Sequence, residues 1–288
     1  MYNCCMHPEP ARPVNDATFA ALGNGITLMK ASFADHAFER HSHDGFAIGI
    51  TTAGVQRFRC KGRQYDSQVG DLVLFNPDED HDGSPGTADG FRYSIWYVPD
   101  AFVASCIAVE GERADGRYFA TPCVTDRRMA TAFAQISGSL LATPTESLRA
   151  ETTMRALIGS MLARHGERTG ERVPTVPTGA AAAARLAQVR DYIRTHFQRD
   201  ITVADLAAVA GMSRTHLTRA FGAAYHTPPH VYLNSVRVAH ARTLIRCGMP
   251  LAAVALECGF ADQSHLTRRF KGCVGVTPSG WRDKLRAR

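Results

Sequence analysis

The sequence predicts two domains of different class: an N-terminal all-β barrel with a helical hairpin, then an all-α domain with two helix-turn-helix units. Three observations carry this. Short apolar runs broken by Gly, Asn, Asp and Pro follow one another between Ile26 and Val98. A pattern around Gly211 returns around Gly259. Charge divides along the same line: residues 185–288 hold 16 Lys+Arg against 6 Asp+Glu, whereas 1–184 hold 17 against 21. With 288 residues, each domain can have a core of its own.

In chain order, residues 1–20 carry three prolines and no periodicity, and predict irregular chain. Strands are predicted for ITLMKASF, FAIGITT (46–52), VQRFRC (55–60), QYDSQV, DLVLF (71–75) and FRYSIWYV (91–98). Gly45, Gly54, Gly62, Gly70, Asn76-Pro77 and Gly83–Gly90 supply the turns between them. The run 91–98 is apolar on both faces, as a central strand requires. AFVASCIAV reads as a short helix and YFATPCV (118–124) as a last strand. Two helices follow, Arg127–Leu141 and Glu146–His165, with Pro144 between them. One stripe carries Met129, Phe133, Ile136 and Leu140; the other carries Met154, Leu157, Ile158, Met161 and Leu162. Two outcomes are open: the hairpin packs on its own barrel, or it offers Leu140, Leu157 and Met161 to a second subunit. Residues 166–184, rich in Gly, Pro, Thr and charge, read as a linker between a first domain of 1–165 and a second of 185–288, with the alanines at its end able to begin the next helix already.

The second domain opens on a helix with Leu186, Val189, Ile193 and Phe197 at helical spacing. Then ADLAAVAGMSRTHLTRAF (204–221) is echoed by the stretch ending in GFADQSHLTRRF (259–270). Gly211 precedes Gly259 by 48 residues, and Phe221 precedes Phe270 by 49. Pro229 and Tyr232 match Pro278 and Trp281 at the same offset. Such repetition means duplicated supersecondary units, here joined by one long helix from Pro229 to about Cys247. In each unit the glycine supplies a positive φ that ends the first helix. Leu217 and Phe221, like Leu266 and Phe270, then face a core. Two departures mark the first unit: His226 stands where the second has Gly275, and Pro228 where the second has Thr277, a good N-cap. A different exit turn is expected there.

From Leu186 to Lys284 this double unit resembles the DNA-binding domain of the AraC/XylS family of transcription regulators. The shared features are both glycines, both Leu-x-x-x-Phe pairs, and the closing Thr-Pro with an aromatic after it. The resemblance implies double-stranded promoter DNA, RNA polymerase and a second copy of the chain as partners, with activation as the usual mode. Thr215, Thr218 and Arg219, and Gln263, Ser264, His265 and Arg268, match the positions that read bases. Arg can clamp guanine, Gln adenine, and Thr a thymine methyl. Arg269 and Lys271 suit phosphates. Arg214, His216 and Arg237 are weaker candidates, and for any single residue the alternative is a solvated side chain.

In the β region, His41-x-His43, Gly70-Asp71 and Asn76-Pro-x-x-x-His81 resemble a cupin-like barrel of the kind this family uses for effector binding. Metal-binding cupins add an acid, but Ala47 and Ile48 stand where a glutamate would be expected. No metal or other cofactor is therefore expected. His41, His43 and His81 leave three readings open: a polar pocket for a small-molecule effector, which leads; histidines bonded to backbone; or a three-imidazole metal site. Arg57 and Arg59 share one strand face and suit either an anionic effector or solvent.

Other classes fit less well. The eight cysteines form no C-x-x-C pair and read as reduced thiols. No signal peptide or membrane-spanning run is present, so a cytoplasmic protein is expected. No nucleophile–base or acid pair stands at useful spacing, so no enzyme is expected. The rival from another class is a cupin metalloenzyme or metal sensor with an accessory DNA-binding module; a third reading is a DNA-architectural protein.

Overall fold

The computed structural model describes residues 15–108, 117–142, 147–168 and 179–286. Strands β1 (Asp16–Ala21), β2 (Thr27–Phe33), β4 (Phe46–Gly54), β7 (Asp71–Phe75), β9 (Phe91–Val98) and β11 (Cys123–Thr125) form one sheet in the order β1-β2-β9-β4-β7-β11. Strands β3 (Phe38–His41), β5 (Gln56–Cys60), β6 (Arg63–Ser67) and β8 (His81–Pro85) form the facing sheet, ordered β3-β8-β5-β6. A third pair joins β10 (Arg117–Phe119) to β12 (Gly166–Arg168).

β9 is central, between β2 and β4, and its two apolar faces serve two cores. Phe91, Tyr93 and Ile95 point inward with Phe33, Phe58 and Phe75. Trp96 and Val98 point outward with Ile48, Leu72 and Leu74, under helices α1 (Asp100–Ala108), α2 (Arg127–Ala142) and α3 (Ser147–His165). Trp96 Nε1 donates to Ser137 Oγ of α2 at 3.0 Å, which pairs the one polar atom of a fully buried ring. Each large side chain buried this way contributes about 1.5–3 kcal/mol. Leu140, Leu157 and Met161 belong to the same core. Of the two outcomes for the hairpin, packing on the chain's own barrel is the one seen, and these three side chains are not free for a second subunit.

Four boundaries differ from expectation. Asp16–Ala21 is a strand because it pairs with β2 across a Gly23-Asn24-Gly25 turn and buries Ala17 and Phe19. β3 and β8 have little apolar alternation; they pair with each other, and β8 also pairs with β5. The stretch 118–124 is split into β10 and β11. The start of the expected linker, Gly166–Arg168, pairs with β10, and α4 already begins at Ala180; residues 169–178 lie outside the described ones.

The helical part runs α4 (Ala180–His196), α5 (Val203–Ala210), α6 (Arg214–Tyr225), α7 (Pro229–Arg246), α8 (Leu251–Glu257), α9 (Gln263–Val274) and α10 (Pro278–Arg286). Thr202 and Asp205 form a capping box on α5, Ser213 caps α6 and Asp262 caps α9. His226 ends α6 with φ 58°, in the left-handed region that Gly275 occupies after α9 with φ 83°. The exit turn of the first unit therefore keeps its backbone form despite the histidine. The second departure does matter: α7 has no side-chain cap, whereas Thr277 Oγ1 accepts the Gly280 N–H ahead of α10.

The first unit has a separate core of Leu186, Val189, Ile193, Leu206, Leu217 and Phe221, closed by Tyr232. The core of the second unit runs into the barrel's. Trp281 meets Phe19 edge-on at 6.1 Å, and Leu266 and Phe270 belong to the cluster that holds Phe33 and Phe58. No helix among the described residues is long and apolar enough to cross a membrane.

Candidate functional site

The two recognition helices, α6 and α9, each show one polar face to solvent. On α6, Thr215, Thr218 and Arg219 are exposed while Leu217 and Phe221 are buried. On α9, Gln263, Ser264, Arg268 and Lys271 are exposed, and Leu266 and Phe270 are buried. His265 is half-buried, its ring edge-on to Phe260 at 5.3 Å. Two of the remaining candidates go elsewhere. Arg237 is buried and donates to the Phe197 and Arg199 carbonyls, both at 2.8 Å, so it ties α7 to the end of α4. Arg269 reaches the barrel instead, with Nη1 2.9 Å from Glu39 Oε2. Arg214 and His216 are exposed.

The three histidines converge. His41 ends β3 directly opposite His81, the first residue of β8, and His43 lies just beyond β3. One ring nitrogen of each lies within 4.8 Å of the others. Two of the rings are fixed in the same way. His41 Nδ1 lies 2.7 Å from the Glu39 carbonyl and His81 Nδ1 2.9 Å from the Glu79 carbonyl. A carbonyl only accepts, so in the neutral ring Nδ1 carries the proton and Nε2 keeps its lone pair. Phe75 stacks on His81 at 3.7 Å, and Tyr97 meets His43 at 4.8 Å. Burial lowers the His41 pKa to about 4 and holds those of His43 and His81 well below the usual histidine value, helped by their neighbouring rings. All three are neutral at pH 7.

The cluster faces α7. Ser42 N–H donates to Ser235 Oγ at 3.1 Å, and the Arg242 guanidinium lies over the Tyr97 ring at 4.6 Å. Two clefts open beside His43 and Asp44. One, of about 310 Å³, includes Asp78, Arg194 and His240; the other, of about 240 Å³, includes Tyr97, Arg242 and Arg246. Inside the barrel, Phe33, Phe58, Phe75, Phe91 and Tyr93 pack with Met29, Val73 and Ile95 in one buried cluster. Of strands 46–52, 71–75 and 91–98, only Phe46, Tyr97 and Val98 border these clefts. Arg57 does not point there; it pairs with Asp66 at 2.7 Å on the outer face, and Arg59 is exposed.

Further contacts tie the barrel to the helices. Asp78 accepts from Tyr232 Oη at 3.1 Å and from Arg194, and Arg194 Nε donates to Tyr232 Oη at 2.8 Å. Asp80 is buried beside Arg40, 2.8 Å away, and burial raises its pKa to about 7. Lys284 pairs with Asp16. Tyr232 was marked by the repeat, but the others carried no sequence signal: Asp78, Arg194, Asp16 and Lys284 matter through a partner from the other half of the chain, and Asp80 through Arg40 of its own barrel.

Known proteins match both halves. Residues 23–158 match the family model of the AraC-like ligand binding domain, and residues 206–284 that of a helix-turn-helix domain. An uncharacterized HTH-type transcriptional regulator of Bacillus subtilis (strain 168), YbfI, is 28% identical over 230 residues, 80% of this chain and 81% of its own length. The arabinose operon regulatory protein of Escherichia coli (strain K12) is 24% identical over 270 residues, 91% of this chain and 89% of its own. The crystal structure of ToxT from Vibrio cholerae O395 shares the fold, with a TM-score of 0.57 over 96% of this chain and 99% of its own at 11% identity. A ligand-binding β domain followed by a double helix-turn-helix, matched in that order, places this chain in the AraC family of DNA-binding transcriptional regulators.

Proposed function

We propose that the chain reads promoter DNA through Thr215, Thr218 and Arg219 on α6 and through Gln263, Ser264, His265 and Arg268 on α9, with Lys271 on a phosphate. The barrel senses a small effector beside His41, His43 and His81, and binding there controls the two reading helices. The observation that carries this is the place of α7. It joins the two helix-turn-helix units and lies on the mouth of the histidine cluster through Ser235 and Arg242. A ligand in either cleft touches α7 directly, so no signal has to pass through the connection between α3 and α4. Coupling of this kind is reciprocal: an effector that tightens DNA binding is itself bound more tightly when DNA is present.

In this reading the chain acts in the cytoplasm as an activator that contacts RNA polymerase, as a homodimer, and performs no catalysis. The dimer would use a surface other than Leu140, Leu157 and Met161. The test begins with a thermal-shift screen of metabolites, since a ligand of the folded state raises Tm by mass action. DNA affinity is then measured with and without the hit. His81→Ala should remove the hit's influence and leave the chain's basal DNA affinity in place. An unchanged response in His81→Ala would contradict the placement.

A further inference from the structure

We propose that His41, His43 and His81 together bind one divalent transition-metal ion of the zinc type, with an open position facing α7. The inference rests on the reading of the barrel as the sensory half and names the ligand class of that site.

Three imidazoles on two strands and a loop bring one ring nitrogen each to within 4.8 Å of the others. Around a tetrahedral ion with metal–nitrogen distances of about 2.0–2.1 Å, ligand atoms stand roughly 3.3 Å apart, so ring shifts of about 1 Å close the site. The rings are already oriented. The Nδ1–H groups of His41 and His81 donate to the Glu39 and Glu79 carbonyls, which leaves the Nε2 lone pair of each ring for a ligand. A ligating histidine characteristically gives its second N–H to such a partner, which fixes tautomer and direction. The two carbonyls stand in the same relation to their histidines, each two residues upstream, and Phe75 clamps the His81 plane.

The acid that would complete a four-residue set is replaced by Ala47 and Ile48, and this decides the character of the site rather than its existence. Three histidines and one open position are a sufficient set for zinc. A cavity of about 10 Å³ bordered by His41, His43, Tyr97 and Arg242 adjoins the cluster, room for one water or one donor atom. Nitrogen donors alone favour zinc, copper, nickel or iron over calcium or magnesium. The ion would add two positive charges beside Arg242, which is held on the Tyr97 ring. Occupancy therefore opposes the contact of Arg242 with the barrel, and this makes the ion a regulator of the interface.

The test uses the untagged full chain, stripped with a chelator and titrated with Zn²⁺ and Co²⁺ alone. One ion per chain is expected, with the visible absorption of Co²⁺ in a low-coordinate nitrogen site. His43→Gln, at the half-buried ring, should fold and lower the affinity by more than ~100-fold, since even the loss of an outer-shell partner costs ~10–100-fold. Arg242→Gln should tighten binding, because a like charge is removed. The absence of stoichiometric uptake by the wild-type chain, or undiminished uptake by His43→Gln, would overturn the proposal. Promoter binding is measured on the same preparation. Specific DNA binding without ion uptake refutes the ion alone, whereas ion uptake without specific DNA binding refutes the regulator's reading faces and leaves the ion in place.

Discussion

Glu39 at the barrel rim holds Arg269 of the second recognition helix, Oε2 to Nη1 at 2.9 Å. A side chain suited to a DNA phosphate is thus neutralised by a carboxylate of the same chain. Glu39→Gln should free it. The pair is partly exposed on both sides, so the change in stability stays at about 0–1 kcal/mol. DNA affinity of the full chain should rise, with a salt slope steeper by about 1 as one more phosphate contact forms. A salt titration of promoter binding checks this, and an unchanged slope would count against any role of Arg269 on DNA.

The two repeat glycines should respond differently to alanine. Both have positive φ, +59° at Gly211 and +74° at Gly259, where an L-residue costs roughly 1–2 kcal/mol. At Gly211 a Cβ would meet open space. At Gly259 it would lie 2.7 Å from the Gln198 carbonyl oxygen and 2.8 Å from that of Phe197, both backbone atoms. Gly259→Ala should therefore destabilise by clearly more than Gly211→Ala in chemical denaturation. Equal losses would mean that the close approach to the end of α4 is not kept in solution.

Asp126 predicts an acid-sensitive hairpin. Burial pushes its pKa up, but the Met129 N–H, Arg164 and His165 outweigh that and hold it at about 2. Its carboxylate is 2.9 Å from Arg164 Nε and 3.0 Å from His165 Nε2, so it joins the start of α2 to the end of α3. A depressed carboxylate stabilises the fold above its unfolded pKa of about 3.9, and that contribution is lost as pH falls towards about 2. Asp126→Asn should lower stability at pH 7 by about 1 kcal/mol or less and flatten the acid limb between these values. Denaturation at several pH values is the measurement, and an acid limb identical to wild type would contradict the assignment.

What was legible in the sequence follows from the range of each interaction. The double unit was readable because a repeat needs only its own spacing: Gly211 and Gly259, Phe221 and Phe270. Strands such as Phe91–Val98 were readable because their side chains alternate between two cores. β8 was not, since His81–Pro85 becomes a strand through pairing with β3 and β5 rather than through its own pattern. The histidines were identified singly, but their meeting depends on the register that sets His41 against His81. The barrel–helix contacts of Asp78, Glu39 and Ser42 have no local signal at all. Arg237 was misplaced for the same reason: a basic residue on a helix reads as a DNA contact until the carbonyls it binds are located.

The central claim is that two exposed helix faces, on α6 and α9, read DNA side by side. Footprinting of the full chain on its promoter, titrated with wild type, Arg219→Ala and Arg268→Ala, tests it most directly. Wild type should protect two successive major-groove segments on one face of the duplex, about one helical turn apart. Each arginine variant should lose about 1–3 kcal/mol and relax base preference within its own segment, while Lys271→Ala weakens all sequences alike. Wild-type affinity and discrimination in both arginine variants, or a single protected segment, would contradict the account.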